Sequence, residues 1–197
     1  MHFDVTLSAI TVIQRIHRTI RRSKSSQDLV RTNNSVATKH SNMAAIKRVV
    51  YARKLEKIAY LPALKVQNTL ARQHLDELKT KGTSSVENIL LFYEHSPVFT
   101  IGIRNKSIDS KERKRLEDLG AEFHFTNRGG LLTFHGPGQL VSYPILNLNC
   151  FKKSLRWYVA SLENTLIETC RRFDVHAATT CDTGVWVKDK KIAAIGK

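Results

Sequence analysis

The chain has 197 residues, 42% of them hydrophobic and 25% charged, which excludes a wholly disordered protein and fits one globular domain with or without an extension. Its 32 basic and 17 acidic side chains leave a net charge of +15, a field that attracts polyanions or acidic proteins. No aromatic-interleaved basic strand, recognition-helix pattern or zinc-finger spacing accompanies the charge, which argues against a nucleic-acid partner. No apolar run approaches the ~18 residues of a spanning helix, so no membrane partner is expected. Cys150, Cys170 and Cys181 are too few and too scattered for a disulfide framework or a zinc site, and no metal is expected.

The first 45 residues stand apart. They hold seven basic residues, only Asp4 and Asp28 as acids, and neither Gly nor Pro. Ile10, Ile13 and Ile20 recur at helical spacing, flanked by Val12 and Ile16, while Arg15, Arg18 and Arg22 form another stripe. A basic, hydroxyl-rich, acid-poor amphipathic helix is what mitochondrial import reads. Residues 1–45 are therefore expected to be a targeting extension, disordered apart from that helix, in front of a domain at 46–197. Mitochondrial matrix localisation follows; Met43 is the alternative start.

After Met43 the pattern becomes globular. Residues 46–52 predict a strand, and 61–79 a helix with Leu64, Ala71, Leu75 and Leu78 on one face. A loop at 82–85 precedes a buried strand at 88–94. Asp109 with Glu112 three residues later resembles a capping box, opening a charged helix that stops at Gly120. A strand is expected at 122–126, and strands joined by tight loops over 127–144. Leu155, Val159, Leu162 and Leu166 mark a second amphipathic helix behind the N-cap Ser154. Residues 184–187 and 192–195 flank a polar turn at 188–191 as a hairpin. Strands interleaved with few helices predict a single α/β or α+β domain.

Chemistry concentrates after residue 127. Arg128-Gly129-Gly130 leads into Thr133-Phe134-His135-Gly136-Pro137-Gly138-Gln139. Adjacent glycines expose backbone N–H groups and let a ligand approach the main chain, Arg128 adds a positive charge, and the second turn holds an imidazole beside the loop. The Gly-Lys-Ser/Thr ending of a Walker loop is missing, and so is Gly-x-Gly-x-x-Gly. A ligand loop is expected here.

The stretch from Arg128 to Gln139 resembles the signature of the lipoyl(octanoyl) transferases. Tyr93-Glu-His-Ser-Pro-Val-Phe-Thr-Ile-Gly102 is similar to the family's His-x-Pro-Val-[FY]-Thr stretch, and Gly184-Val-Trp-Val-Lys-Asp-Lys-Lys-Ile-Ala-Ala-Ile-Gly196 to its Gly-Val-Trp-Val…Lys-Ile-Ala-Ala-Ile-Gly segment. The three matches stand in family order. The resemblance implies the fold of the biotin and lipoate protein ligases, a mixed sheet flanked by helices, and an acyltransferase that needs no cofactor. Such an enzyme moves octanoyl from acyl carrier protein to a cysteine thiolate. The group then passes to a lysine of lipoyl domains, those of 2-oxoacid dehydrogenase or glycine cleavage proteins. Carried over by motif, Arg128, Gly129, Gly130, Leu131, Leu132, Thr133, Phe134 and His135 line the acyl pocket. Ala194, Ile195 and Gly196 supply backbone contacts at the thioester end, and Lys191 is the catalytic lysine. A desolvated lysine exchanges a proton readily, and when charged it stabilises a thiolate.

The family's acceptor cysteine lies downstream of this lysine in a Pro-Cys-Gly context, after Ser-His-Gly-Leu-Ala-Leu-Asn. Neither segment occurs here, and none of the three cysteines has that context. Cys170 reads as core, and Cys181 as exposed but upstream of the lysine. The expectation is a C-terminally truncated octanoyltransferase with its nucleophile absent. Two alternatives stand beside it: an ATP-dependent lipoate or biotin ligase, and an inactive isoform that only binds acyl carriers or lipoyl domains.

Overall fold

The computed structural model describes residues 5–7, 9–12, 49–103 and 108–196. Two short strands, β1 (Val5–Leu7) and β2 (Ala9–Val12), come first. Then follow β3 (Val50–Ile58), α1 (Tyr60–Lys81), β4 (Asn88–His95), β5 (Val98–Ile101), α2 (Ser110–Glu117) and β6 (Glu122–Phe125). The chain continues through β7 (Thr133–His135), β8 (Leu140–Asn147), α3 (Leu155–Arg171), β9 (Val185–Val187) and β10 (Lys190–Gly196). Helix limits follow local chemistry. Ser154 Oγ accepts the Trp157 N–H at 3.2 Å and Asp109 Oδ1 the Glu112 N–H at 2.7 Å, each satisfying an orphan donor of the first turn. The Glu112 carboxylate turns to Arg115 instead of back to the cap, so only half of the capping box forms.

The large sheet runs β3-β4-β8-β2-β10-β9, with β1 also on β8. β3 and β4 are parallel, joined by the α1 crossover, and β4 pairs with β8 antiparallel. A small sheet, β6-β5-β7, lies beside it. Ile89, Leu91 and Tyr93 of β4 and Val141, Tyr143 and Ile145 of β8 bury the main core against Ala63 and Ala71 of α1. A second core joins Cys170 of α3 to Val185, Ile192 and Ala193 of the β9–β10 hairpin. The result is a mixed sheet with flanking helices in one α+β domain, as expected from the sequence.

Three readings change. The buried stripe of α1 is Tyr60, Ala63, Gln67, Ala71 and His74, whereas Leu75 is 42% exposed. Two alanines let the helix sit close to the sheet, and His74 is satisfied by Ser84 Oγ at 3.0 Å and the Glu87 carbonyl at 3.1 Å. The strand expected over 46–52 is described from Val50 and runs on to Ile58, residues 46–48 lying outside the described residues; its run of charged residues conceals the period, because it is an exposed edge strand guarded by charge. Finally, Ile10 and Val12 lie in β2, between β8 and β10, and not in a helix. Val5–Val12 is rich in β-branched residues, which favour strands wherever partner edges are available. The expected helix beyond Val12 and the tail up to residue 45 fall outside the described residues.

Candidate active site

Three segments meet around one cavity of about 530 Å3, a size suited to a small-molecule group. Arg128, Gly130, Leu131, Leu132, Thr133 and His135 form one wall. Lys191, Ala194, Ile195 and Gly196 of β10 form another, and Cys181, Asp182 and Thr183 close a third side. A concavity of similar volume over Leu61, Leu64, Lys65 and Arg72 is made by one face of α1 alone. It brings no separate segments together, so the chemistry belongs to the first.

The end of β5 shapes the glycine loop. At Gly102 a β-carbon would collide with the Gly130 carbonyl and stand 2.9 Å from that of Arg128, so only glycine permits this approach. The Ile103 N–H donates to the Arg128 carbonyl at 3.0 Å. The Arg128 guanidinium then ties the loop together. Nη1 donates to the Gly129 carbonyl at 2.9 Å. Nη2 donates to the Thr100 carbonyl and hydroxyl, both at 2.8 Å, and to the Leu131 carbonyl at 3.1 Å. Its charge, expected to face a ligand, is directed largely into the loop's own acceptors. Burial pulls the guanidinium below its ordinary pKa, though arginine stays charged.

His135 is buried beside this clasp, with Nε2 3.4 Å from Thr100 Oγ1. Burial first, then the charges of His95 and Arg128, push its pKa down to about 3, so the ring meets the cavity neutral. His95 lies behind it, ring centroids 6.0 Å apart. His95 Nδ1 donates to the Ile58 carbonyl at 2.9 Å, which leaves Nε2 to accept the Tyr143 hydroxyl at 2.8 Å. Burial lowers the pKa of His95 also.

Two expected pocket residues are not brought to the cavity. β7 alternates, so Thr133 and His135 share the cavity side while Phe134 turns away; it is 41% exposed and packs on Phe99, ring centroids 5.1 Å apart. Gly129 is buried outside the lining, on the side facing Gly102. Gly130 does line it, at φ 95°.

Lys191 was expected in the turn of the hairpin. The turn is shorter, Lys188–Asp189 with Lys188 at φ 55°, and Lys191 lies in β10 opposite Trp186. Its Nζ donates to the Thr183 carbonyl at 3.1 Å and stands 4.8 Å from the Trp186 ring centroid, a cation–π contact. A register shift between Lys191 and Ala193 re-aims the strand as bulges do. Gly184, at φ 127°, leaves room for the lysine: a β-carbon there would stand 2.6 Å from the Ala193 carbonyl and 3.3 Å from Lys191 Cδ. The Gly184 N–H donates to Glu163 Oε1 at 2.9 Å, fastening the hairpin to α3.

The sequence did not disclose Asp182 and Thr183 as lining residues. Cys181, read as exposed, is exposed but also lines the cavity that Lys191 enters. The only local signal was position, immediately before Gly184. Cys170 is buried in the hairpin core, as expected, and burial raises its thiol pKa.

A family model described as the lipoyl protein ligase A/B catalytic domain matches residues 59–197. The octanoyl-[acyl-carrier-protein]:protein N-octanoyltransferase, mitochondrial, of Danio rerio is 54% identical over 154 residues, 78% of this chain and 66% of that protein. Proteins of the same name from Xenopus tropicalis and Homo sapiens are 46% and 39% identical; the match covers 75% and 73% of this chain and 61% and 64% of theirs. The chain thus spans less than two thirds of the length of these relatives. Among solved structures, P. falciparum LipL1 in complex with lipoate shares the fold at a TM-score of 0.52 and 17% identity, covering 75% of this chain and 46% of that one. The wall of Arg128–His135 and the strand of Lys191 both fall inside the matched region, and the chain belongs to the lipoyl protein ligase A/B catalytic-domain family.

Proposed function

We propose that the protein is an octanoyltransferase that takes an octanoyl group from acyl carrier protein, without ATP, for transfer to a lysine of a lipoyl domain. The observation that carries this reading is the single cavity in which the glycine loop and its neutral His135 meet Lys191 and the Ala194–Gly196 backbone. Leu131, Leu132 and Ile195 offer apolar surface to the acyl chain, and burying a chain of methylenes supplies about 0.8 kcal/mol for each. Backbone groups of Ala194–Gly196 face the thioester end. Lys191 handles the proton: it takes one from the attacking thiol or amine as the new bond forms, and its charged form steadies the thiolate that leaves. The Thr183 carbonyl and Trp186 ring hold Nζ in place for this. The relatives named above supply the choice of octanoyl and of a carrier-bound donor.

Incubation with octanoyl-carrier protein and a lipoyl domain, with and without ATP, followed by mass spectrometry, tests the reading. ATP-independent octanoylation of the lipoyl-domain lysine supports it. Octanoylation from free octanoate only when ATP is added replaces it with a ligase, and carrier binding without any acyl adduct reduces the protein to a binding module. A stable adduct on Cys181 that chases to the lipoyl domain would place the nucleophile upstream of Lys191.

The relatives are named mitochondrial. For this chain the basic, acid-poor residues 1–45 support import into the matrix, while every residue lining the cavity lies within 46–197. A reporter fused to residues 1–45 that stays in the cytosol would overturn this and favour Met43 as the start.

A further inference from the structure

A second concavity of about 460 Å3 adjoins the acyl cavity, lined from α3 by Leu155, Arg156 and Val159 and from the loop before β9 by Cys181 and Thr183. Cys181 and Thr183 line both spaces, so one depression runs from β10 to the first turn of α3. Its outer end is basic. Lys152, Lys153 and Arg156 are exposed there, and from 151 onward the first acid is Glu163, which is engaged by the Gly184 N–H. On α2 and at the end of α1, by contrast, several basic side chains are answered locally: Arg113, Lys114 and Arg115 pair with Glu117, Asp118 and Glu112, and Lys81 with Glu77. Among the described residues neither Lys152 nor Arg156 has an ion pair. The N-terminus of the 17-residue α3 adds its own positive end at the same place, and half-exposed Leu155 gives the patch an apolar centre.

We propose that this entrance, centred on Lys152, Leu155 and Arg156, is the docking surface for an acidic carrier protein. The carrier's folded body rests on α3 while its thioester-bearing arm lies along the depression, past Cys181 and Thr183, into the cavity. The identity of the cargo rests on the acyl-transfer reading above; the surface does not. A carrier must place its thioester inside while its body stays outside, so the body sits at the rim. Unanswered positive charge beside an apolar spot is what an acidic protein face recognises, and such complementarity acts chiefly on the association rate.

The test measures binding of the full chain to octanoyl-carrier protein, to the same carrier without its acyl group, to a lipoyl domain and to octanoyl-pantetheine, at low and high salt. The double variant Lys152→Glu/Arg156→Glu is expected to bind both carriers about tenfold more weakly, mainly through slower association. Its octanoyl-pantetheine affinity should change by no more than about twofold, because the uncharged pantetheine meets Arg156 only at the rim, and the salt dependence should flatten. The control Lys65→Glu/Lys79→Glu alters net charge equally on α1 and should stay within about twofold. Equal loss in the control would overturn the proposal in favour of a diffuse field. Loss confined to the lipoyl domain would assign the surface to the acceptor, and loss of octanoyl-pantetheine binding would make these residues part of the cavity; either outcome also overturns it. A wild-type chain that binds the unacylated carrier but not octanoyl-pantetheine would refute the acyl-transfer reading and leave the docking surface standing.

Discussion

The two main walls of the cavity are built by different means. The wall of Arg128–His135 is clasped from behind: Thr100 and Gly102 of the β5 segment touch its backbone, and one guanidinium joins three of its neighbouring carbonyls and a hydroxyl. The wall of Lys191 is a two-stranded hairpin, held by the Glu163 contact, by its core with Cys170, and by four residue pairs with β2. The first is rigid because buried polar groups and a steric fit over-determine it. The second keeps Lys191 partly exposed on a short ladder. On the proposed function, shape and proton handling fall to different parts of the fold.

The largest effect should come from the hairpin. In a version that carries the family's Pro-Cys-Gly segment, Lys191→Ala is expected to slow octanoyl transfer by about 100-fold or more, with acyl binding kept; steady-state kinetics beside octanoyl-pantetheine binding separate the two. Lost binding with an unchanged turnover rate would reverse the roles of the walls.

On the clasped wall, Gly130→Val should weaken octanoyl-pantetheine binding by about tenfold or more and destabilise the fold by about 1–3 kcal/mol, because a branched residue is strained at φ 95°. Gly129→Val should affect acyl binding less, since Gly129 is outside the lining. Next, Thr100→Val removes the hydroxyl that accepts from Arg128 and should cost about 1–3 kcal/mol in urea unfolding, whereas Thr100→Ser should recover most of it. Equal losses in both would show that Thr100 only fills space.

The pH dependence should also belong to the clasped wall. His135 has its pKa lowered from 6.5 to about 3, so between these values the unfolded chain binds a proton that the folded chain refuses. Stability is then full above about pH 6.5 and declines as pH falls through that window; His95 and His74, lowered by burial, act in the same direction. His135→Gln should flatten the fall in urea midpoint between about pH 7 and pH 4.5. The smallest effect concerns β2. A chain beginning at Met43 lacks it, and amide exchange along Ala193–Gly196 should quicken while Ile89 and Leu91 of β4 keep their protection. Unchanged exchange would mean that the hairpin does not depend on its β2 pairing.

What the sequence by itself determined are features with short-range causes. Ser154 caps α3 and Asp109 caps α2 because a side-chain oxygen reaches an orphan N–H three residues on. β4 and β8 emerge from apolar runs, and the three motifs mark the cavity's two main walls. What only the tertiary structure decided depends on neighbours distant in the chain. Which face of α1 is buried depended on how closely two alanines could approach the sheet. Phe134 turns out and Gly129 sits behind the lining because β7 and its loop are registered against β5. Lys191 became a strand residue once pairing with Trp186 shortened the turn, and Val5–Leu7 and Ala9–Val12 became strands because β8 and β10 offered edges. Cys181, Asp182 and Thr183 reached the site because Lys191 Nζ meets the Thr183 carbonyl and the Gly184 N–H meets Glu163 of α3. A cavity belongs to the packing of segments, and local periodicity carries no record of which segments will meet.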